Sequence, residues 1–216
     1  MQRSNDRYPV QFRVDYPDRP LNRMTTFFRI FMLIPIGIVL SSIAGGSSSS
    51  SWTDPDTQET IRTVVVGAGG LLIFPPLLMI LFRQKYPRWW FDWNLQLQRF
   101  TNRVGVYGAL MDDTYPSTDE EQSVHLHWDY PNVQQDLTRW MPLVKWLLAI
   151  PHYIVLFFLH IAVFVAVIVA WFAILFTGRY PRGIFRFVEG VFRWDNRVIG
   201  YAMTMVTDQY PPFSLD

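Results

Sequence analysis

A continuous apolar stretch limits what this chain can fold into more than any other feature. It runs from Leu143 to Phe176, a length of 34 residues. Its only ionisable side chains are Lys145, His152 and His160. One straight helix of that length would measure about 51 Å, well beyond the roughly 30 Å of a bilayer's hydrocarbon. The sequence therefore predicts two membrane spans, at 143–159 and 161–177, joined by a tight turn within 159–164.

The N-terminal half contains two further apolar segments. Residues 27–44 form the first predicted span, and Arg29 is close enough to its start for the side chain to reach the lipid headgroups. Residues 63–82 form the second. A Gly/Ser-rich, acidic tract separates them, which is typical of an exposed loop. The whole chain is therefore predicted to contain four spans.

Composition agrees with a membrane protein. Half of the residues, 50%, are hydrophobic, and only 17% are charged. The net charge of +1 predicts no nucleic-acid partner, so any electrostatic function must depend on where the charges lie. The chain has no cysteine, which excludes disulfides and thiolate metal sites.

Several motifs occur twice in the same order, which predicts a tandem duplication. The pairs are VDYP and WDYP, FRIFMLIP and VKWLLAIP, LFRQKYPR and LFTGRYPR, RFTNRVGVYG and RWDNRVIGYA, and DDTYP and TDQYP. The predicted units are residues 1–116 and 124–216, with a linker at 117–123. The predicted fold is a mainly α membrane protein of two repeats, each a transmembrane helical hairpin with an interfacial amphipathic helix and short cytoplasmic β-strands.

The basic residues predict the topology. Of the nineteen Lys and Arg residues, only Arg62 falls in the loop between the first two spans. The positive-inside rule then places both termini and the central segment on the cytoplasmic side of a multi-pass protein. The N-terminal residues do not have the pattern of a secretory signal peptide.

Five arginines after the last apolar stretch fall on one side of a predicted interfacial helix at about 181–197, within about 60° of one another. They are Arg179, Arg182, Arg186, Arg193 and Arg197. The matching helix of the first unit, at about 87–104, follows the same pattern with Lys85, Arg88, Arg99 and Arg103. The predicted interfacial anchors are Trp89, Trp90, Trp93 and Trp194. A basic face of this kind favours contact with anionic lipid or an acidic partner, although it could also serve only to fix topology.

Short β-rich runs lie at the ends of each unit. The predicted strands at 10–16 and 124–130 alternate apolar and polar residues. The runs at 103–111 and 197–206 close the units, and we expect each to pair with an N-terminal strand in a small cytoplasmic sheet.

The sequence contains no motif that assigns catalysis or a cofactor. His152 and His160 are weak candidates for a metal or haem site, since one helix cannot supply both axial ligands of one haem. The pair His125 and His127 has no third ligand nearby. The Asn-Arg pairs at 102–103 and 196–197 are interpreted as repeated structural hydrogen bonds. We therefore expect no catalytic residue, no metal and no cofactor.

The motifs AIPHYIVL, AWFAILFTGRYPRGIF and TDQYPPFSL together resemble a domain-of-unknown-function family of bacterial integral membrane proteins, the one numbered four-three-eight-nine. The similarity is close over residues 126–215 and looser in the first unit. It implies residence in a bacterial inner membrane, and it implies no activity, substrate or site residue.

The sequence thus favours a non-catalytic accessory or scaffold subunit that packs against a larger membrane complex, against itself, or against anionic lipid. The alternatives are a small transporter or channel component formed between the repeats and, less favoured, a haem-binding redox subunit.

Overall fold

The computed structural model describes residues 8–44, 48–53, 60–65 and 74–216. A π-helical turn, Met79–Arg83, continues α2, and another, Ile199–Met203, continues α7. The elements in chain order are β1 (Val10–Val14), α1 (Arg23–Ala44), β2 (Ser48–Thr53), β3 (Thr60–Val65), α2 (Phe74–Leu78), α3 (Arg88–Gly108), β4 (Val124–Trp128), α4 (Val133–Asp136), α5 (Met141–Leu148), α6 (Ile150–Thr177) and α7 (Arg182–Val198).

Helix α1 begins directly after a capping residue. The Asn22 Oδ1 atom accepts hydrogen bonds from the backbone N–H groups of Met24 and Thr25, at 2.9 and 3.3 Å. These bonds satisfy donors that the first turn of a helix leaves unpaired. The helix covers the predicted segment 27–44 and includes Pro35.

The longest helix contradicts the predicted turn at 159–164. Helix α6 is continuous over its 28 residues, and only Ala149 separates it from α5. Because residues 152–177 contain neither glycine nor proline, nothing interrupts the backbone hydrogen bonds of the helix. It ends at Gly178, whose φ of 73° favours glycine. The segment is therefore one long helical unit and not the two predicted spans 143–159 and 161–177.

The second predicted span, at 63–82, is described in part. Its residues 66–73 lie outside the described residues. Before them, β3 pairs antiparallel with β2, so residues 63–65 are strand where a helix was expected. The β-branched sequence Thr-Val-Val at this position suits a strand. After the undescribed residues, positions 74–83 are helical.

The other sheet joins two distant strands. Strand β1 pairs antiparallel with β4, and Phe12 lies opposite Leu126 at the centre of the register. The prediction that the runs at 103–111 and 197–206 supply partner strands is wrong, because helical structure at the ends of α3 and α7 occupies them. Their apolar residues are buried by helix packing, which overrides β propensity.

The elements form three layers. Alternate residues of β1, namely Val10, Phe12 and Val14, are buried, and β1 contacts α7 while β4 contacts α3. Helices α3 and α7 therefore form the middle layer under the sheet. On the opposite side of α3, Phe100 and Val104 pack against Ile36 of α1.

Helix α6 lies in the outer layer with α1, and it packs along α7 of the middle layer. Leu156 of α6 clusters with Val191 and Trp194 of α7. The ends of the two outer helices meet, because the backbone N–H of Leu21 donates to the Gly178 carbonyl at 2.8 Å. The three layers are thus the sheet, then α3 with α7, then α1 with α6.

The outer layer exposes apolar side chains. Ile30 on α1 is 74% exposed, and Phe164 and Phe176 on α6 are 68% and 78% exposed. Within the described residues, segments 23–40 and 141–177 are long and apolar enough to cross a membrane. A contiguous apolar face of this extent is rare on soluble proteins, so it indicates association with a membrane.

Candidate functional site

Two tyrosine-centred clusters lie where the strands β1 and β4 end. The Tyr16 hydroxyl donates to the Tyr180 carbonyl at 2.5 Å, and its ring is 5.0 Å from that of Phe185. The Arg182 guanidinium lies over the same ring, with its Cζ 5.2 Å from the ring centroid. This cluster attaches the end of β1 to the start of α7.

The second cluster has the same contacts with different residues. The Tyr130 hydroxyl donates to the Tyr86 carbonyl, and the Tyr130 ring is 5.1 Å from that of Phe91. The Cζ of Arg88 lies 5.1 Å from the centroid of the Tyr130 ring. This cluster attaches the end of β4 to the start of α3.

Two arginines of the middle layer bind the centre of the sheet. The Arg99 Nε donates to the Leu126 carbonyl at 3.0 Å, and the Arg193 Nε donates to the Phe12 carbonyl at 3.1 Å. Arg193 also pairs with Glu189, with 3.0 Å between Nη2 and Oε1. These two members of the predicted basic face therefore hold the strands in place.

Arg103 and Arg197 bind the polar segments that follow the helices. The Arg103 Nη1 donates to the Ser117 carbonyl at 2.8 Å, and the Arg197 Nη1 donates to the Ser214 carbonyl at 3.3 Å. Burial lowers the pKa of both guanidinium groups, and a neighbouring arginine lowers each further. Both remain charged at neutral pH, since the ordinary pKa of an arginine lies far above neutrality.

A pair of buried amides joins α3 to α7. The Asn102 Nδ2 donates to the Asn196 Oδ1 at 2.7 Å, and the Asn196 Nδ2 donates to the Asn102 Oδ1 at 3.0 Å. Asn196 is 0% exposed and Asn102 is 4% exposed. The predicted structural role of the two Asn-Arg pairs agrees with these contacts.

The other five predicted basic residues point outward and are exposed. Within the described ranges none of them has a carboxylate partner. They are Lys85, Arg88, Arg179, Arg182 and Arg186. Arg179 precedes α7, so it is not on the predicted helical stripe. Of the nine predicted positions, these five are the ones available to a lipid or a partner.

The apolar side of α7 is covered by protein. Phe185, Val188 and Val191 are at most 3% exposed. Trp194 is 5% exposed, and its Nε1 donates to the Nδ1 of His152 at 3.0 Å. The prediction that this side lies in acyl chains, with Trp194 as an interfacial anchor, is therefore wrong, because α6 and the sheet cover it.

The predicted tryptophan anchors on α3 differ in exposure. Trp89 is 69% exposed and Trp93 is 41% exposed, so both can contact an interface. Trp90 is half-buried, and its ring stacks on that of Trp93 at 5.6 Å.

Three concave surfaces accompany these residues. A cavity of about 380 Å³ lies at the first tyrosine cluster and is lined by Arg19, Arg179 and Arg182 with Asp18. A cavity of about 670 Å³ lies at the second cluster, where Lys85 is the lining cation. A third, of about 510 Å³, is lined by residues of both strands together with Arg99, Arg103 and Arg193.

The two intramembrane histidine candidates do not share a site. His152 accepts its hydrogen bond from Trp194, whereas the His160 Nε2 lies 2.8 Å from an Asp195 carboxylate oxygen. His125 and His127 on β4 pair separately with Asp15 and Asp129. Among the described residues, no cluster of three or more His, Cys, Asp or Glu side chains could hold a metal ion.

Two buried cations lie at the outer-to-middle layer contact. The Arg29 Nη1 donates to the carbonyls of Tyr107, at 3.0 Å, and Asp112. Arg29 is 1% exposed and stacks on the Tyr107 ring, so the prediction that it reaches the headgroups is wrong. The two carbonyls therefore compensate part of the cost of burying its charge.

Lys145 is buried in the corresponding way on α5. It is 0% exposed, and its Nζ donates to the Thr207 carbonyl at 2.8 Å. The same atom lies 2.7 Å from an Asp208 carboxylate oxygen. The sequence did not predict this ion pair, because Asp208 is distant in the chain and no local spacing links the two residues.

One family model matches the C-terminal part of the chain. Residues 139–214 match the model of the family described as Domain of unknown function (DUF4389). This match confirms the resemblance that the sequence motifs indicated in that region. No curated protein and no solved structure matches the chain.

Proposed function

We propose that the protein is a non-catalytic accessory or scaffold protein of the bacterial inner membrane. Helices α1, α5 and α6 anchor it, and both termini lie on the cytoplasmic side. The observation that carries this proposal is the apolar face of the outer layer, where α6 alone exposes Ile154, Phe164, Phe172 and Phe176 by half or more. Burial of such side chains in lipid stabilises each by about 1.5–3 kcal/mol.

The outward cations supply the binding surface of this proposal. Lys85, Arg88, Arg179, Arg182 and Arg186 attract phosphate groups of anionic lipid or the acidic side chains of a partner subunit. Each basic residue near an anionic surface contributes about 1 kcal/mol. Their lack of carboxylate partners within the described residues supports this role, since a paired guanidinium has less affinity left for a phosphate.

The proposal includes the predicted tandem duplication. The two tyrosine clusters, the Arg99 and Arg193 bonds to the sheet, and the reciprocal amide pair support it, because each contact occurs twice with residues from matching motifs. In each case a residue of one unit binds the other unit. The two units would thus be related by a two-fold axis between Asn102 and Asn196.

A charge-matched comparison tests the binding surface. The variant Arg186→Gln removes one outward cation, whereas the control Arg13→Gln removes one cation that pairs with Asp15. Each protein is purified gently from native membrane, and retained anionic lipid and co-purifying subunits are measured by mass spectrometry.

We expect the test variant to bind its anionic partner roughly fivefold more weakly, which corresponds to about 1 kcal/mol for one cation. The control should retain lipid and subunits at nearly the wild-type level. Equal losses from the two variants, or a wild-type protein that purifies with neither anionic lipid nor another subunit, would contradict the proposal.

A further inference from the structure

The rest of the protein packs against α6 along nearly its whole length. Near its start, His152 and Leu156 are buried against α7. Near its end, Ala170 and Ile174 are buried in the core that includes Phe185 and the sheet. No long part of α6 therefore projects beyond the body into a separate layer.

Charged groups lie beside the middle of this apolar segment. His160, close to the midpoint of residues 141–177, is 51% exposed in its side chain and lies 2.8 Å from the Asp195 carboxylate. If α6 crossed a bilayer, this pair would lie near the centre of the hydrocarbon. A charged side chain at that depth costs about 2.5–3.5 kcal/mol or more.

The length of the segment also disagrees with a single crossing. The 37 residues of 141–177 would extend about 55 Å as a helix, against roughly 30 Å of hydrocarbon. Basic residues occur at both ends, with Arg139 before α5 and Arg179 and Arg182 after α6. The positive-inside rule favours placing both ends on the same side, which one crossing cannot do.

The side of α6 that faces away from the body is apolar along its length. Ile154, Phe164 and Phe172 are 56%, 68% and 50% exposed, and they cover 18 positions of the helix. We propose that α6, with α1 in the same layer, lies parallel to the membrane in the cytoplasmic leaflet. Its outward side enters the acyl chains, while α3, α7 and the β1–β4 sheet lie on the cytoplasmic side.

This orientation rests on the proposed membrane function but can fail separately from it. Because the chain has no cysteine, single cysteines report their positions without background labelling. Gln135→Cys precedes α5 and Thr177→Cys ends α6, and neither substitution changes a charge. A membrane-impermeant maleimide is applied to right-side-out and to inverted inner-membrane vesicles, with Arg186→Cys on α7 as the reference for the cytoplasmic side.

We expect all three cysteines to react in inverted vesicles only. Reaction of Gln135→Cys and Thr177→Cys from opposite sides would overturn the in-plane orientation while leaving the membrane function intact. A wild-type chain recovered in the soluble fraction would instead contradict the proposed function itself.

Depth measurement supplies a second, independent readout. A fluorophore is attached at Ile154→Cys, Phe164→Cys or Phe172→Cys, and quenching by lipids with spin labels at fixed depths is measured. An in-plane helix predicts the same depth at all three positions, within a few ångströms. A helix that crosses with His160 near the bilayer centre predicts unequal depths, with Phe164 about 6 Å, Ile154 about 9 Å and Phe172 about 18 Å from the centre, because each residue advances the helix about 1.5 Å.

Equal depths within one leaflet support the proposal, and a deep central position overturns it. Probes that no lipid quencher reaches, on a chain that sediments as a dimer, would also overturn it, because a second copy would then cover the apolar face.

Discussion

The N-terminal and C-terminal halves each contain a buried cation, and the two cations are held by different chemistry. In the first half, Arg29 binds two backbone carbonyls and stacks on Tyr107, at 4.1 Å from Cζ to the ring centroid. In the second half, Lys145 binds one carbonyl and the Asp208 carboxylate, and its Nζ is 5.3 Å from the centroid of the Tyr201 ring. Arg29 thus relies on carbonyls and a ring, whereas Lys145 relies mainly on an ion pair.

The largest expected effect tests this difference. Lys145→Met leaves the Asp208 carboxylate without its cation, and Asp208 is only 14% exposed in its side chain. We expect the free energy of unfolding to fall by about 3–5 kcal/mol, as when one partner of a buried pair is removed. The measurement is denaturant unfolding of the protein in a mild detergent.

The matched variant is Arg29→Met. It removes hydrogen bonds to carbonyls but leaves no charge behind, so we expect a smaller loss of about 1.5–3 kcal/mol. The Nε and Nη2 atoms of Arg29 are buried without a hydrogen-bond partner, which reduces what the residue contributes. A larger loss from Arg29→Met than from Lys145→Met would reverse the comparison.

Substitution of the two reciprocal amides is expected to give the next largest loss of stability. Asn196→Ala leaves the buried Asn102 amide without its partner, and we expect a loss of about 1–3 kcal/mol. After Asn102→Ala the Asn196 amide still accepts from the Gln98 Nε2 and donates to the Phe192 carbonyl, so we expect a smaller loss. The double variant should lose clearly less than the sum, because the second substitution removes the group that the first left unpaired. Strictly additive losses in a thermodynamic cycle would show that the two amides do not act as a pair.

The smallest expected loss of stability comes from substitutions that compare the two tyrosine clusters. Tyr16→Phe and Tyr130→Phe each remove one hydroxyl bond to a carbonyl while keeping the ring under Arg182 or Arg88. We expect each substitution to lower the free energy of unfolding by about 0.5–1.5 kcal/mol, with nearly equal values. A difference beyond 1 kcal/mol would show that the two strand ends are not held equivalently.

The sequence predicted those parts of the fold that a local pattern specifies, either a helical period or an apolar segment with polar ends. The amphipathic period of residues 181–197 identified α7, since arginines and apolar residues alternate every three or four positions. Helix α1 was predicted because its apolar segment is bounded by polar residues. Both segments predicted to be interfacial helices, at 87–104 and 181–197, are helical, although the partners of Arg99 and Arg193 were not predicted.

The missed features depend on distant parts of the chain. The apolar sequence of α6 is uniform, so only the body that packs along it reveals one helix instead of two spans. The pairing of β1 with β4 brings together segments more than a hundred positions apart, which no local pattern specifies. The burial of Lys145 and Trp194 similarly depends on residues that only the folded chain places beside them.

Each strand of the β1–β4 sheet packs on a helix of the other half of the chain. This arrangement affects how the protein folds during synthesis. Strand β1 leaves the ribosome before its packing partner α7, and helices α1 to α6 are synthesised between the two. Until α7 emerges, Val10, Phe12 and Val14 have no helix to cover them, and α3 similarly waits for β4. Neither half can therefore complete its own core, and a chain that stops after α3 would present both an unpaired strand and an uncovered helix to chaperones and proteases.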